Sequence, residues 1–387
     1  MSPTKILVIT NLFPYPWEPN RAVFNRQQFE KLAEISKVKV IVLVPWTSAL
    51  KNRGQLQKTI KNDVEIDYCV YPYPPKVGRS LYPLFIFLSL LAHYFKIKKF
   101  RPDYMLLSWA FPDAVAGSLL AKLLNIPTII KAHGSDINVH AEIGERRTQI
   151  KWAMKQAKAI IAVSQDLKRK IVEMGVPQAK VHTLYNGIDR GLFHPLDKYA
   201  ARESCKIEAH KKVLLFIGNL KVSKGCNLLL DAYLLLAKQK FPVDLYYIGA
   251  GDQAGTLKKI VAENSLEDRV HFLGAVSHSL LVNWINSSDV LVLPSMNEGV
   301  PNVVLEAQAC GTPVVATNVG GIPEIVSAES GILIEYGSAE LLCTALKDAL
   351  DRNWDRDKIS NNENILSWQL NAEKLLHIMK NDAADQC

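Results

Sequence analysis

The chain has 387 residues, 48% hydrophobic and 22% charged, which argues against a disordered chain and points to two globular domains. Its net charge of +8 is unevenly spread: residues 1–195 hold 28 Lys and Arg against 14 Asp and Glu, net +14, and residues 196–387 hold 18 against 24, net −6. Six cysteines, at 69, 205, 226, 310, 343 and 387, have no paired spacing, which argues against a disulfide framework or zinc site and for a reducing compartment.

The N-terminus, "MSPTKILVIT", enters an apolar strand directly, without the features of a signal peptide. Short β-branched runs then alternate with helical patterns. Strands are expected at Lys5–Thr10, Val38–Val44, Val64–Tyr71, Tyr104–Ser108, Thr128–Ala132, Ala159–Ser164 and Val181–Leu184. Further strands are expected at Val213–Ile217, Val243–Ile248, Val270–Leu273, Val290–Leu293, Pro313–Thr317 and Gly331–Ile334. Several are apolar throughout, as in strands buried on both faces of a parallel sheet. The alternation predicts two doubly wound α/β units, with ligands at the C-terminal ends of the strands and a cleft between the units.

"SLYPLFIFLSLLAHYFKIKKFR", residues 80–101, is tested first for a membrane span. Its apolar part, Leu81–Phe95, contains Pro83 and His93 and is shorter than the roughly 20 residues a span needs. It reads either as a helix packed on the sheet or as an interfacial helix whose basic flank touches anionic lipid. In "IIKAHGSDI", residues 129–137, His133 follows a strand, and Asp136 is close enough in sequence to orient it. The basic run "ERRTQIKWAMKQAK" has one aromatic residue, Trp152, which does not suit nucleic-acid binding.

The first unit breaks from the second in the turn-rich, then charged, stretch 185–212. In "VLLFIGNLKVSKGCNLLLDAYLLLAK", residues 213–238, a strand ends at Gly218 and Lys224-Gly225 opens a helix. A lysine there opposes the helix dipole by a few tenths to about 1 kcal/mol unless an anion is bound. Walker spacing is absent, and a lysine simply pointing into solvent is the plain alternative. "GAGDQAG", residues 249–255, reads as a strand-to-helix turn.

"MNEGVPNVVLEAQACGTPVVATNVGG", residues 296–321, follows a strand ending near Ser295. Asn302 is read as an N-cap, with a helix running to a stop at Gly311. Glu298 precedes this helix and Glu306 lies about one turn inside it. A carboxylate repels a phosphate but accepts two hydrogen bonds from vicinal hydroxyls. The pattern therefore suits a phosphate at the helix start flanked by sugar hydroxyls, as in a nucleotide sugar. Two solvated carboxylates at a helix dipole are the alternative. "DRD", residues 355–357, lies in a polar segment and reads as surface charge. No cluster has metal-ligand spacing. "ILSWQLNAEKLLHIMK" closes the chain as an amphipathic helix.

Together these elements resemble the family-four retaining glycosyltransferases of the GT-B fold. "ILVITNLFPYP", "HGSD", "YNGIDRGLFHP", "IGNLKVSKG", the stretch from "HFLGAVSHS" to "GGIPEIV" with its E-x7-E pair, and "SWQLNAEKLL" carry the resemblance over nearly the whole chain. It implies an acceptor-binding Rossmann-like domain at 1–190, a donor-binding one at 191–365, and a helix at 366–387 that crosses back to the first. It also implies roles. Glu298 contacts the donor sugar at the reacting face, Glu306 holds the ribose, and Lys224 neutralises the diphosphate. Gly218 and Asn219 belong to the phosphate loop. Backbone amides from Gly299 to Val304 (Gly299, Val300, Pro301, Asn302, Val303, Val304) bind sugar and phosphate. His133 bonds the donor near the acceptor, and Arg21 and Asp136 lie on the acceptor side. Asn219 stands where the family usually has Arg, and Arg21 lies where it often has a Gly pair.

The expected activity is transfer, with retention and without a metal or other cofactor, from a nucleoside-diphosphate sugar to a lipid-linked or polysaccharide acceptor. The expected place is the cytoplasm, peripheral to the inner face of an anionic membrane. The rivals are a nucleotide-sugar epimerase or phosphorylase of this fold, and a basic binding module without chemistry.

Overall fold

The structure, a computed structural model, describes residues 3–74, 78–362 and 365–381; Cys387 and the rest of 382–387 lie outside the described residues. The contacts divide the chain into two units, one of residues up to 187 together with those from 367 on, the other of residues 188–366.

The first unit holds eight strands: β1 (Lys5–Thr10), β2 (Lys37–Pro45), β3 (Thr59–Lys61), β4 (Val64–Tyr71), β5 (Tyr104–Ser108), β6 (Thr128–Ala132), β7 (Ala159–Ala162) and β8 (Val181–Thr183). They lie in the order β3-β4-β2-β1-β5-β6-β7-β8. Neighbours pair in parallel, with Ile6 opposite both Val38 and Tyr104. Ile6, Leu7, Val8 and Ile9 are fully buried, so the run is apolar throughout because both faces are covered. The exception is β3, which pairs antiparallel to β4 through a turn at Asn62 and Asp63, both at positive φ. Its residues are all exposed. It has no apolar pattern to read, which is why sequence reasoning passed over it.

The stretch after β4 divides into helices Tyr82–Leu91 and Tyr94–Phe100, bent by 68°. Pro83, Ile86, Leu90 and Ile97 are buried, while Leu81, Leu84, Leu88 and Phe95 (82%) are exposed. One face is packed and the other is apolar and open. Among the described residues no single helix is long and apolar enough to cross a membrane.

The helix Trp368–Lys380 packs against the helix Val23–Ile35 within this unit. The contact is polar at its centre. Gln28 Nε2 donates to Asn371 Oδ1 at 2.5 Å, and Asn371 Nδ2 to the Tyr185 carbonyl at 2.6 Å. Beneath them Lys131 of β6 is fully buried and donates to Gln28 Oε1 at 2.8 Å and Asn186 Oδ1 at 3.2 Å. Burial pushes its ammonium down to about 7, since both of these acceptors are amides and neither brings a countercharge.

The second unit has six strands: β9 (Lys212–Ile217), β10 (Val243–Ile248), β11 (Val270–Gly274), β12 (Val290–Leu293), β13 (Val314–Thr317) and β14 (Gly331–Ile334). All pair in parallel, in the order β11-β10-β9-β12-β13-β14. The chain runs outward from β9 through β11, then returns to build the other side from β12. The order therefore reverses between β9 and β12, as it does between β1 and β5 in the first unit. At such points the loops leave in opposite directions and a crevice forms at the strand ends.

Two local readings are corrected, the Asn302 cap and the Lys224 helix start, and the stop expected at Gly311 is found there. The helix Asn302–Ala309 has Pro301 at its N-cap, so Asn302 is its first residue rather than its cap. Its stop is Gly311, at φ +72°. Lys224 closes a 3₁₀ turn, Val222–Lys224, and Gly225 caps the helix Cys226–Lys238.

Lys131 gives a pH signature. In the unfolded chain it stays protonated to about 10.5 and in the folded one to about 7, so the unfolded state binds more protons between these values. Its contribution to stability therefore rises as pH rises through that window. Urea unfolding at pH 7 and 9.5 should show Lys131→Met losing stability relative to the parent as pH rises; a difference independent of pH contradicts the assignment.

Candidate functional site

In the second unit the loops after β9 and β12 meet at the reversal point. Gly225 has φ +69°, and a Cβ there would collide with the Pro294 carbonyl oxygen, so only glycine lets these loops touch. Met296 N donates to the Ser223 carbonyl at 3.0 Å, locking loop to loop. On the other side, Thr317 Oγ1 donates to the Ser295 carbonyl at 2.5 Å and Gly321 N to the Gly299 carbonyl at 2.8 Å.

This clamp holds Glu298, 9% exposed. Its Oε1 accepts from Ser295 Oγ at 2.8 Å and from Lys224 Nζ at 2.6 Å. Lys224 and Glu298, 74 positions apart, are thus brought together, and the lysine does not simply point into solvent. The lysine remains partly open to solvent, so a second anion can approach it. Glu306, in the helix Asn302–Ala309 and nearly buried, accepts from His278 Nε2 at 2.8 Å. The His278 ring meets Phe193 edge-on at 5.1 Å.

Other expected residues divide by what their backbones already do. Gly218 N donates to the Ile248 carbonyl and Val304 N to Pro301, so neither amide is open for a ligand. The Val304 side chain is fully buried, and Val300 and Pro301 are buried as well. Gly299, Asn302 and Val303 are half-buried and Asn219 is exposed. Asp355 of the "DRD" run caps Lys358 N at 3.0 Å.

In the first unit His133 follows β6. Its Nε2 lies 2.9 Å from Ser108 Oγ at the end of β5, and its ring packs against Phe24 at 5.3 Å. Burial and the nearby Lys131 ammonium hold it well below the usual histidine range, so the imidazole is neutral. Asp136 does not orient this ring. It is fully buried, and its oxygens accept from the amides of Ala110 (2.9 Å), His133 (3.0 Å) and Gly134 (2.8 Å). Asp136 thus shapes the loop, and Ser108 holds the imidazole.

Arg21 lines a cavity of about 480 Å³ in the same unit. Its Nη2 donates to the Asn11 carbonyl at 3.2 Å and its guanidinium lies 4.7 Å from the centre of the Tyr15 ring. Ser295, Ser108 and His278 were not singled out from the sequence. Each sits at or just beyond a strand end, and that position was the only signal available.

Two sequence families match in tandem. "Glycosyltransferase Family 4" matches residues 25–192 and "Glycosyl transferases group 1" residues 197–364. The N-acetyl-alpha-D-glucosaminyl L-malate synthase of Bacillus anthracis is 30% identical over 296 residues, covering 74% of each chain. The putative teichuronic acid biosynthesis glycosyltransferase TuaC of Bacillus subtilis is 26% identical over 357 residues, covering 88% of each. Among solved structures, sucrose-phosphate synthase from Thermosynechococcus elongatus superposes with a TM-score of 0.79 at 20% identity, covering 97% of this chain and 98% of that one. Anabaena Alr3699/HepE in complex with UDP and glucose gives 0.72 at 19%, covering 96% and 98%. These structural likenesses identify the GT-B fold.

The loop-to-loop contact is testable through Gly225. Gly225→Ala forces a side chain into the left-handed region and into Pro294, and should destabilise the second unit by roughly 1–3 kcal/mol in urea unfolding. Gly255→Ala, in the helix Ala254–Glu263 with open space around the new methyl, should be neutral or slightly stabilising. Equal effects of the two would contradict the close approach.

Proposed function

The chain belongs to the family-four glycosyltransferases, and from that premise we propose that it transfers a sugar, with retention, from a nucleoside-diphosphate sugar to a lipid-linked or growing polysaccharide acceptor of the cell envelope or an exopolysaccharide. The observation that carries this reading is the Lys224–Glu298 pair at 2.6 Å, at the strand-order reversal of the second unit and just before the helix Asn302–Ala309.

The chemistry follows from charge. A carboxylate about 4 Å from a phosphate oxygen costs ~4 kcal/mol at an effective dielectric of 20. An ammonium between them turns that repulsion into attraction. Lys224 is thus placed to neutralise the diphosphate, leaving Glu298 for the sugar hydroxyls. The positive end of the helix beginning at Asn302 adds to the same field. Glu306, oriented by His278, accepts from the ribose hydroxyls. His133, neutral, is assigned to a sugar hydroxyl. Asn219 contributes no charge where the family usually has Arg, which leaves Lys224 as the principal cation.

In the proposed step the acceptor oxygen bonds to C1 of the donor sugar as the bond from C1 to the β-phosphate oxygen breaks. The acceptor proton passes to the leaving diphosphate on the same face, so no side-chain nucleophile is required. Lys224 stabilises the departing charge, a task given to protein groups rather than a metal. HepE bound to UDP and glucose supports the donor class, and the similarity to TuaC, named as a putative teichuronic acid biosynthesis glycosyltransferase, supports the acceptor class. The open apolar residues Leu81, Leu84, Leu88 and Phe95, followed by Lys98, Lys99 and Arg101, suit peripheral contact with an anionic cytoplasmic membrane face.

Thermal-shift screening against UDP-, GDP- and ADP-sugars should identify a stabilising donor. With it, Lys224→Ala and Glu298→Ala should each lower transfer or donor hydrolysis by roughly 10²–10³-fold, and chelation should leave the parent rate unchanged. Unchanged turnover in both variants, or an epimerised donor as the sole product, defeats the assignment.

A further inference from the structure

We propose that the cavity of about 480 Å³ in the first unit is a site for an acidic sugar, a ring bearing a carboxylate or a phosphate. The inference rests on the glycosyl-transfer reading, under which this unit takes the acceptor, and it names that acceptor's chemical class.

The cavity lies at the reversal point between β1 and β5. Asn11, Tyr15 and Arg21 reach it from the loop after β1, and Trp109 and Phe111 from the loop after β5. Its volume falls within the range of small-molecule pockets, about 300–1,000 Å³. Three guanidinium groups line it: Arg21, Arg79 and Arg146.

The decisive residue is Arg146. It is 9% exposed, yet among the described residues no carboxylate lies within ion-pair distance of it. Its Nη1 lies 3.2 Å from His140 Nδ1 and its Nε has no partner. His140 does not balance the charge. Burial and the Arg146 and Arg79 guanidiniums hold it below its usual range, so it is a neutral acceptor. The guanidinium lies 5.4 Å from the centre of the Phe111 ring. Arg79, exposed at the mouth, likewise has no ion pair among the described residues. Among the described residues the one ion pair of Arg21 is with Glu18 at 3.7 Å, on the exposed rim, and its Nε is also buried without a partner. Asp113, an interior acid that Arg21 also influences, accepts from Asn11 N at 2.5 Å and Asn11 Nδ2 at 2.9 Å; burial pushes its carboxyl up to about 7, and among the described residues it forms no ion pair with any of the three guanidiniums.

A buried cation without a counterion loses its hydration with nothing to replace it. The cavity therefore concentrates positive charge that its own walls do not neutralise, and an anionic ligand offsets that loss. Guanidinium forks match the oxygens of carboxylate and phosphate groups. The remaining wall is aromatic, with Tyr15, Tyr73, Tyr82 and Trp109. Such flat apolar surfaces cover the C–H faces of a sugar ring and leave its hydroxyls to the edges. Cation and aromatic wall together select a charged ring over a free ion or a neutral sugar.

The test is calorimetric titration of the full chain with methyl β-D-glucuronide, glucose 6-phosphate, methyl β-D-glucoside and inorganic phosphate. At least one acidic sugar should bind saturably, ten-fold or more tighter than the neutral glucoside and than inorganic phosphate. Arg146→Gln and Arg79→Gln should each weaken it at least ten-fold. The exposed Arg79 keeps the test decisive if the Arg146 variant fails to fold. The stronger of the two acidic sugars identifies carboxylate or phosphate. UDP, GDP and ADP are titrated in parallel, and the affinity of whichever binds should be the same in both variants. Equal binding of the neutral glucoside or of inorganic phosphate, no binding of either acidic sugar, or unchanged affinity in a folded Arg79→Gln overturns the proposal. Acidic-sugar binding without any nucleotide binding would instead defeat the donor reading and leave this one standing.

Discussion

Parallel pairing is the constraint on which the rest depends. A strand that runs parallel to its neighbour cannot turn directly back, so each must be followed by a crossover over a face of the sheet. Apart from the antiparallel β3, every C-terminal strand end then lies at one edge of its sheet, and where the order reverses two loops part. The first unit reverses between β1 and β5, the second between β9 and β12. Arg21 and the cavity lie at one of these points, and Lys224 and Glu298 at the other. Charged side chains gather there because that is where the backbone leaves room for them.

The two places handle charge in opposite ways. In the second unit a cation and an anion meet inside a rigid frame of touching loops, held by Gly225 and by the hydrogen bonds of Ser295 and Thr317. Neither charge is isolated, and the pair has a defined geometry. In the first unit the cationic side predominates. Three guanidiniums face a cavity, and the interior carboxyl of Asp113, raised by burial and bonded to Asn11, forms no ion pair with them among the described residues. The sequence asymmetry of +14 against −6 is partly surface charge, yet part of it is concentrated at this one position.

Much of the fold was legible because burial on both faces leaves a continuous apolar run, as in "KILVIT" or "VLVL". The runs at 5–10 and 290–293 coincide with β1 and β12. β3 was not legible, because an exposed edge strand held by backbone bonds carries no such pattern. The pairing of Glu298 with Lys224 was foreshadowed by their positions after strands. Ser295 was not, since a serine hydroxyl beside a carboxylate looks like any loop serine. Arg146 was hidden for the opposite reason. In "ERRTQIKWAMKQAK" it stands beside Arg147, and helix geometry buries the first and exposes the second. Nothing in the string distinguishes them.

The last helix has a consequence for synthesis. Asn371 pairs with Gln28, and Trp368 Nε1 donates to Gln27 Oε1 at 3.0 Å, so the first unit lacks an interior component until the chain has been made past residue 380. Residues 188–366, by contrast, form an uninterrupted stretch. As the chain emerges from the ribosome, the later-starting unit is the one that can finish folding first. The earlier one must wait, with Gln28 lacking its Asn371 partner, until residues 368–380 arrive.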